Sequence, residues 1–396
     1  MIVQKYGGSS LATADKIIKV AKNIIERKKI VKDIIVVVSA IGDSTDELLG
    51  LAQKVSSNPL ERELDVLLST GEQQTIALLS MALNDLGCKA ISLTGLQAKI
   101  RTKGSHTRAS ILNIKRDIIK KFLNEGNVVV IAGFQGVNEE GDITTLGRGG
   151  SDTTAVALAA EFNCPCEIYT DVDGIYSIDP KIYKNSQRIS RLNYDIALEM
   201  SRLGARIIDK RALTLGKKFK VPLYIGNSFN NKIGTIIGGG NMEELKVLSL
   251  VADCNQIQVK IKNIPNDMGK LSHVFKILGK YNLDIGMTEN NLVDGNLEIS
   301  FVCSKEYIKL LSSIEKEMIS TIYGFIEMEI SESTRVSIIG NGRINQAEIT
   351  SNVFDIIDGT NIKYKKLYTS ELSLSYFFDG GDINYLINRL AEVFNL

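Results

Sequence analysis

Three short stretches in the first half of this 396-residue chain are almost continuously apolar: DIIVVVSA (33–40), NVVVIAGF (127–134) and CEIYT (166–170). A strand with one wet face alternates apolar and polar residues, whereas a run without a polar side is buried on both faces, as in a parallel sheet covered by helices. Helical patterns lie between these runs. Ile17, Val20, Ala21, Ile24 and Ile25 recur on one helical face within 13–28, and Ile76, Leu79, Leu83 and Leu86 do nearly the same within 71–86. The first half is therefore expected to be α/β, with a mostly parallel sheet sandwiched by helices.

The character changes after the glycine cluster GTIIGGG (234–240) and the acidic NMEEL, so this domain is expected to span 1–238. Beyond it, IQVKIKNI (257–264) alternates, with Ile257, Val259 and Ile261 on one face and Gln258, Lys260 and Lys262 on the other, as in a half-solvated antiparallel sheet. SHVFKILGKYNLDI (272–285) aligns with SNVFDIIDGTNIKY (351–364) at an offset of 79. Each copy follows a strand, holds a helix and leads into further strands, which suggests two α+β units of βαββαβ type at 247–330 and 331–396. The first strand of the 247–330 unit is open to belonging to the second unit.

Lys+Arg 47 against Asp+Glu 46 gives a formal charge of +1, so no global field attracts nucleic acid or a membrane surface. No apolar run reaches the ~18 residues of a membrane span. The opening IVQKYGG has no basic and apolar leader, which makes a cytoplasmic protein the expectation. Cys88, Cys164, Cys166, Cys254 and Cys303 are scattered and odd in number, and are expected to be reduced structural thiols. With His106 and His273 as the only histidines, neither a histidine-rich metal site nor a Ser-His-Asp triad is expected.

Three stretches carry candidate chemistry. KYGGSS (5–10) joins a strand to the helical pattern starting near Thr13, a place where backbone N–H groups converge. Either Lys5, Gly7, Gly8 and Ser9 cradle an anion, or they form a tight turn. No GxxxxGK[ST] occurs. TTLGRGGSDTTAVALAA (144–160) repeats the arrangement, with Arg148 suited to a bidentate grip on a carboxylate or phosphate. Asp152 is either a helix cap or, near Lys5, a group that steadies an ammonium for phosphoryl transfer. YTDVDGIYSIDP (169–180) either lines a nucleotide, with Tyr176 against the base, or makes a hairpin turn.

Taken together, these stretches resemble the aspartate kinases of the amino-acid kinase family. KxGGSS, STDEL (44–48), STGEQ (69–73), GFQG (133–136), TTLGRGGSDTTA (144–155) and YTDVDGIYSIDP look like that family's motifs in its order, and the C-terminal repeat looks like its paired ACT domains. The resemblance covers essentially the whole chain. It implies transfer of the γ-phosphate of ATP, with Mg2+, to the side chain of L-aspartate, giving 4-phospho-L-aspartate for the lysine, threonine and methionine pathway. It implies catalytic roles for Lys5 and Asp152 and a phosphate cradle of Gly7, Gly8 and Ser9. Thr45, Glu72, Arg148, Gly149 and Ser151 would hold aspartate, with Glu72 on its amino group and Arg148 on a carboxylate. Thr170, Asp171, Tyr176, Asp179 and Lys181 would line the ATP site. Asn266, Asp267, Gly269, Lys270 and Leu271 would bind lysine or threonine as feedback effector, and a homo-oligomer through the ACT domains is expected.

Some stretches depart from the family pattern. GARIIDKRA (204–212) carries Asp209 and Lys210 where many members have a His-Pro pair, and GNSFNN (226–231) has Phe229 where some have a lysine, leaving Lys181 or Lys232 as the expected substitute. The second ACT loop, GNGRINQAEI (340–349), lacks the usual turn chemistry, so the second copy is expected to serve mainly in dimer packing. The rival readings are a glutamate or acetylglutamate kinase, against which the doubled ACT tail and Glu72 argue, and an idle amino-acid sensor, against which Lys5, Arg148 and Asp152 argue together.

Overall fold

The computed structural model describes residues 1–205, 207–230, 232–239, 246–281, 283, 285–322, 326–341 and 345–396. It divides into two units: Met1–Ser177, Gln187–Arg202 and Arg206–Met242 form the first, and Ile178–Ser186, Leu203–Ala205 and Glu243–Leu396 the second. The proposed boundary at NMEEL falls on 241–245, outside the described residues.

The first unit is built on an eight-stranded sheet in the order Arg191–Leu192, Ile233–Ile237, Leu223–Asn227, Cys166–Thr170, Ile2–Tyr6, Ile34–Val38, Val128–Ala132, Ala90–Leu93. Every pairing is parallel except that of Leu223–Asn227 with Ile233–Ile237. The three continuously apolar runs are central strands, and all residues of Ile34–Val38 and Val128–Ala132 are buried. Ile34, Val36 and Val38 share a core with Ile17, Val20 and Ile24 of the helix Ala14–Lys28 and with Ile76, Leu79 and Leu83 of the helix Glu61–Asp85. That second helix begins about ten residues before the apolar pattern from 71 suggests, because its first turns carry polar residues on the stripe that faces inward.

In the second unit a six-stranded antiparallel sheet runs Gly286–Val293, Asn296–Ser304, Lys246–Pro265, Glu327–Asn341, Ser373–Asp379, Lys363–Thr369. Two strands are long and shared. Asn296–Ser304 pairs with Gln256–Pro265, and Ser373–Asp379 pairs with Thr334–Ile339. The ladder between the long strands breaks at Asp253/Gln256. Each half of the sheet has its own core: Ile257, Val259, Ile261, Val274 and Ile314 in one, Leu250, Val336, Ile338, Val353 and Leu390 in the other. The repeat is therefore real in three dimensions, with Val274 and Val353 as equivalent core residues. The first copy is a βαββαβ unit inserted into the second, whose fourth strand is supplied by residues 246–253 ahead of the first copy.

Candidate active site

Within the first unit, the sheet register sets the site. Tyr6 pairs with Val38 and Tyr169, Val38 with Ala132, and Thr170 with Asn227. Five parallel strands therefore end level, and their following loops emerge along one carboxyl edge. From the first strand the chain enters Ile34–Val38 on one side and later Cys166–Thr170 on the other, the switch point where α/β sheets open a crevice.

Lys5 projects from the first strand at this point and its Nζ lies 2.6 Å from Asp152 Oδ1, both side chains largely shielded from water. Asp152 is in the first turn of the helix Gly150–Phe162, whose cap residue is Gly149, so it serves the ammonium and not the cap. Gly7 lies under that ammonium: a Cβ there would sit 3.7 Å from Nζ. A Cβ on Gly8 would meet the Ala40 and Gly42 carbonyl oxygens at 2.7 and 2.8 Å, so this position requires glycine for close backbone approach. Ser9 is exposed at the crest of the loop. The loop reading of KYGGSS and the contact expected of Asp152 thus meet in one place.

Glu72 comes from the middle of the helix Glu61–Asp85 and is 3% exposed. Its Oε1 accepts the Ala40 amide at 3.0 Å, while its Oε2 is buried without a hydrogen-bond partner among the described residues. Burial pushes its carboxyl up to about 8, against the smaller opposing effect of backbone hydrogen bonds. Ser39 follows the second strand, and its hydroxyl is 2.7 Å from that of Ser151. Thr45 is half-buried in the first turn of the helix Ser44–Val55. Arg148 is exposed and makes no ion pair among the described residues.

The loop bearing Arg148 is held by residues to which sequence reasoning gave no role. Gly149 has φ +70°, and a Cβ there would lie 2.3 Å from Asp209, which caps the helix Lys210–Phe219 and accepts the Thr153 hydroxyl at 3.3 Å. Arg211 donates to the carbonyls of Leu146 and, at 3.2 Å, Arg148. The substitution of Asp209 for the His-Pro pair thus has a local structural role. Beneath the same loop Asp65, fully buried, accepts from the Thr145 hydroxyl (2.5 Å) and the Thr107 amide (3.0 Å) and faces His106 Nδ1 at 2.8 Å. A signal for it was present: Asp65, Ser69, Glu72 and Thr75 follow helical spacing on the apolar stripe, and buried polar residues at core positions need partners.

Thr170 ends its strand and bonds through its hydroxyl to Asp171. Ile175–Tyr176 pairs antiparallel with Arg188–Ile189, and Tyr176 donates to Asp173 Oδ1 at 2.6 Å, so the hairpin reading of this stretch describes its local structure. Asp179 and Lys181 fall in the segment Ile178–Ser186, which groups with the second unit; the Lys181 amide donates to Asp179 Oδ1 at 2.8 Å. The loop after Asn227 is pinned by Ser228, whose amide and hydroxyl both donate to the Thr170 carbonyl, at 2.9 and 2.8 Å, and whose hydroxyl is 2.5 Å from that of Ser10.

In the second unit Asp267 caps the helix Met268–Lys280 and accepts the Lys270 amide at 2.9 Å; Asn266 and Gly269 are exposed and Leu271 is half-buried. A Cβ at Gly269 would lie 2.9 Å from the Asp267 carboxylate, so glycine at 269 makes room for the cap itself. Of the second loop, 342–344 lie outside the described residues.

Residues 1–227 match the model of the amino acid kinase family. The whole chain is 40% identical to the aspartokinase of Bacillus sp. (strain MGA3), covering 97% of that protein, and 37% identical to the aspartokinase of Corynebacterium glutamicum, covering 96%. Among solved structures, E. coli aspartokinase III in complex with aspartate and ADP has a TM-score of 0.81 at 23% identity, with 99% of each chain covered; at that identity the likeness speaks for the fold. Clostridium acetobutylicum aspartate kinase has a TM-score of 0.75 at 22% identity over the whole of both chains. The chain belongs to the amino acid kinase family and, within it, to the aspartokinases.

Proposed function

We propose that the crevice at the carboxyl edge of the first unit is where the γ-phosphate of ATP passes to the side-chain carboxylate of L-aspartate. The ion pair of Lys5 with Asp152 carries this assignment: it holds an ammonium over a glycine loop, where charge on a transferring phosphoryl group needs to be met. A carboxylate oxygen of aspartate attacks the γ-phosphorus, the bond to the β–γ bridging oxygen breaks, and ADP leaves with that electron pair, giving 4-phospho-L-aspartate. The nucleophile is already ionised, so no general base is required.

In this reading Gly7, Gly8 and Ser9 present backbone to the phosphates, and magnesium entering with ATP would neutralise part of the phosphate charge. Glu72 Oε2 receives the substrate ammonium, Arg148 a substrate carboxylate, and Thr45, Gly149 and Ser151 complete that pocket. Thr170, Asp171 and Tyr176 line the nucleotide. Residues 1–238 form the catalytic domain, and 247–330 and 331–396 the two ACT domains, with the first strand, 246–253, completing the second; the ACT domains also join copies of the chain into a homo-oligomer. Lysine is the favoured effector, at 266–271, with threonine as a second candidate; a relative of this fold has been solved with lysine and aspartate. Among the described residues no helix is long and apolar enough to cross a membrane, and the cytoplasm is the proposed location.

The test is aspartate-dependent ATP turnover, trapped as the hydroxamate, with lysine and threonine added singly and together. Turnover lowered by lysine supports both halves of the proposal. Turnover with glutamate but not aspartate overturns the substrate, and none with either overturns the enzyme reading.

A further inference from the structure

Two cations beside the glycine loop have no assigned partner. Lys16 and Lys19 stand three residues apart on the helix Ala14–Lys28, whose Ile17 and Val20 face the core. Spacing of three puts them on neighbouring surface positions, where like charges disfavour the helix. Both ammonium groups lie against the ring of Phe229, Lys16 Nζ at 5.7 Å and Lys19 Nζ at 5.0 Å from its centroid. Neither makes an ion pair with a carboxylate among the described residues. Lys16 Nζ also donates to the Ser9 carbonyl at 2.9 Å, on the loop whose glycines lie at Lys5.

The backbone that carries the ring is held in this place. Phe229 follows Ser228, which is bonded to Thr170 and Ser10 and whose carbonyl accepts Asn23 Nδ2 at 2.7 Å; the Phe229 amide donates to Asn227 Oδ1 at 2.8 Å. Phe229 therefore acts as a platform that gathers two flexible cations through the negative face of its ring. Two ammonium groups held together without a counter-charge among the described residues favour a multiply charged anion. An ammonium has three donors, so Lys16 keeps two after bonding Ser9.

We propose that Lys16 and Lys19, collected by Phe229, bind the non-transferred phosphates of the nucleotide. Lys5 is engaged with Asp152 at the start of the loop, and Lys16 meets the loop two residues beyond Gly7, which separates the reacting phosphate from the rest of the chain of phosphates. The expected substitutes Lys181 and Lys232 are then unnecessary: Phe229 does not replace a cation but recruits two.

This inference rests on the glycine loop being the phosphate site, and the test separates the two. Binding of ADP and of adenosine is measured by calorimetry for the unmodified protein, Lys16→Met/Lys19→Met, Phe229→Ala and Gly8→Ala, with circular dichroism to confirm folding. The double lysine variant is expected to weaken ADP about ten-fold or more and to leave adenosine within about two-fold, as loss of charge-assisted contacts to phosphate implies. Phe229→Ala should show a smaller loss of the same kind, and Lys16→Arg/Lys19→Arg should retain most of the ADP affinity. ADP binding weakened in Gly8→Ala but unchanged in the double lysine variant overturns this inference alone. ADP binding unchanged in both overturns the phosphate-loop reading with it.

Discussion

Replacing Glu72 by glutamine tests the substrate pocket through two opposite effects. Burial raises the Glu72 carboxyl from an ordinary 4.5 to about 8, and Oε2 has no partner among the described residues. Holding a substrate ammonium requires the ionised form, whose fraction in the free enzyme is about one in ten at pH 7 and one in a hundred at pH 6. The kcat/KM for aspartate should therefore rise by about ten-fold between pH 6 and 7 and level off above 8. Stability runs the other way. Between 4.5 and about 8 the folded protein keeps a proton that the unfolded chain has released, so stability falls as pH rises through that window. A shift of that size corresponds to about 5 kcal/mol once pH exceeds 8. Glutamine can still accept the Ala40 amide and has no charge to bury. Glu72→Gln should melt higher than the parent at pH 8.5, with the gap closing toward pH 5, while its KM for aspartate rises at least ten-fold, the scale of a lost charged hydrogen bond. Parallel melting curves from pH 5 to 9, or a flat kcat/KM between pH 6 and 8, would refute the reasoning.

Lys5→Ala should lower kcat by ~10²-fold or more, measured at saturating ATP and aspartate, because it removes a preorganised charge at the transferring group. Gly8→Ala forces a methyl to 2.7 Å from the Ala40 carbonyl; a loss of about 1–3 kcal/mol in urea unfolding and a raised KM for ATP are expected. Asp65→Ala leaves the Thr145 hydroxyl and Thr107 amide without their acceptor and should cost about 2–5 kcal/mol by the same assay, with aspartate affinity falling as the Arg148 loop loosens.

The sheet of the first unit was legible because its central strands have no polar side, and that leaves few arrangements open. The paired units were legible through a repeat at an offset of 79 residues. The exchange between them was left open: Lys246–Pro265 is one continuous strand whose two halves serve different cores, and alternation along a strand does not say which neighbour it pairs with. In the site, Lys5 and Asp152 were found because glycine loops mark them. Asp65, Asp209 and Arg211 act by holding loops through contacts 42 to 80 residues away in sequence, and a capping or buried carboxylate looks the same in sequence whatever it supports. Phe229 was read as a missing lysine, since a cation recruited from another element leaves no mark at the position it serves.

Unmatched charge also links binding to stability. Among the described residues Glu72 Oε2 lacks a donor and Arg148 lacks an anion, so in the proposed site aspartate supplies both partners, ammonium and carboxylate. A ligand that binds only the folded state adds about 2.7 kcal/mol at a hundred times its Kd, but the Kd itself depends on whether Glu72 is charged. At fixed aspartate concentration the thermal shift should then be small at pH 6 and grow toward pH 8.5, opposite to the trend of the free protein. Glu72→Gln should show little shift at either pH. A shift of equal size at pH 6 and 8.5 in the parent protein would mean that the ammonium is held elsewhere, and Glu72 would be left as a buried structural carboxyl.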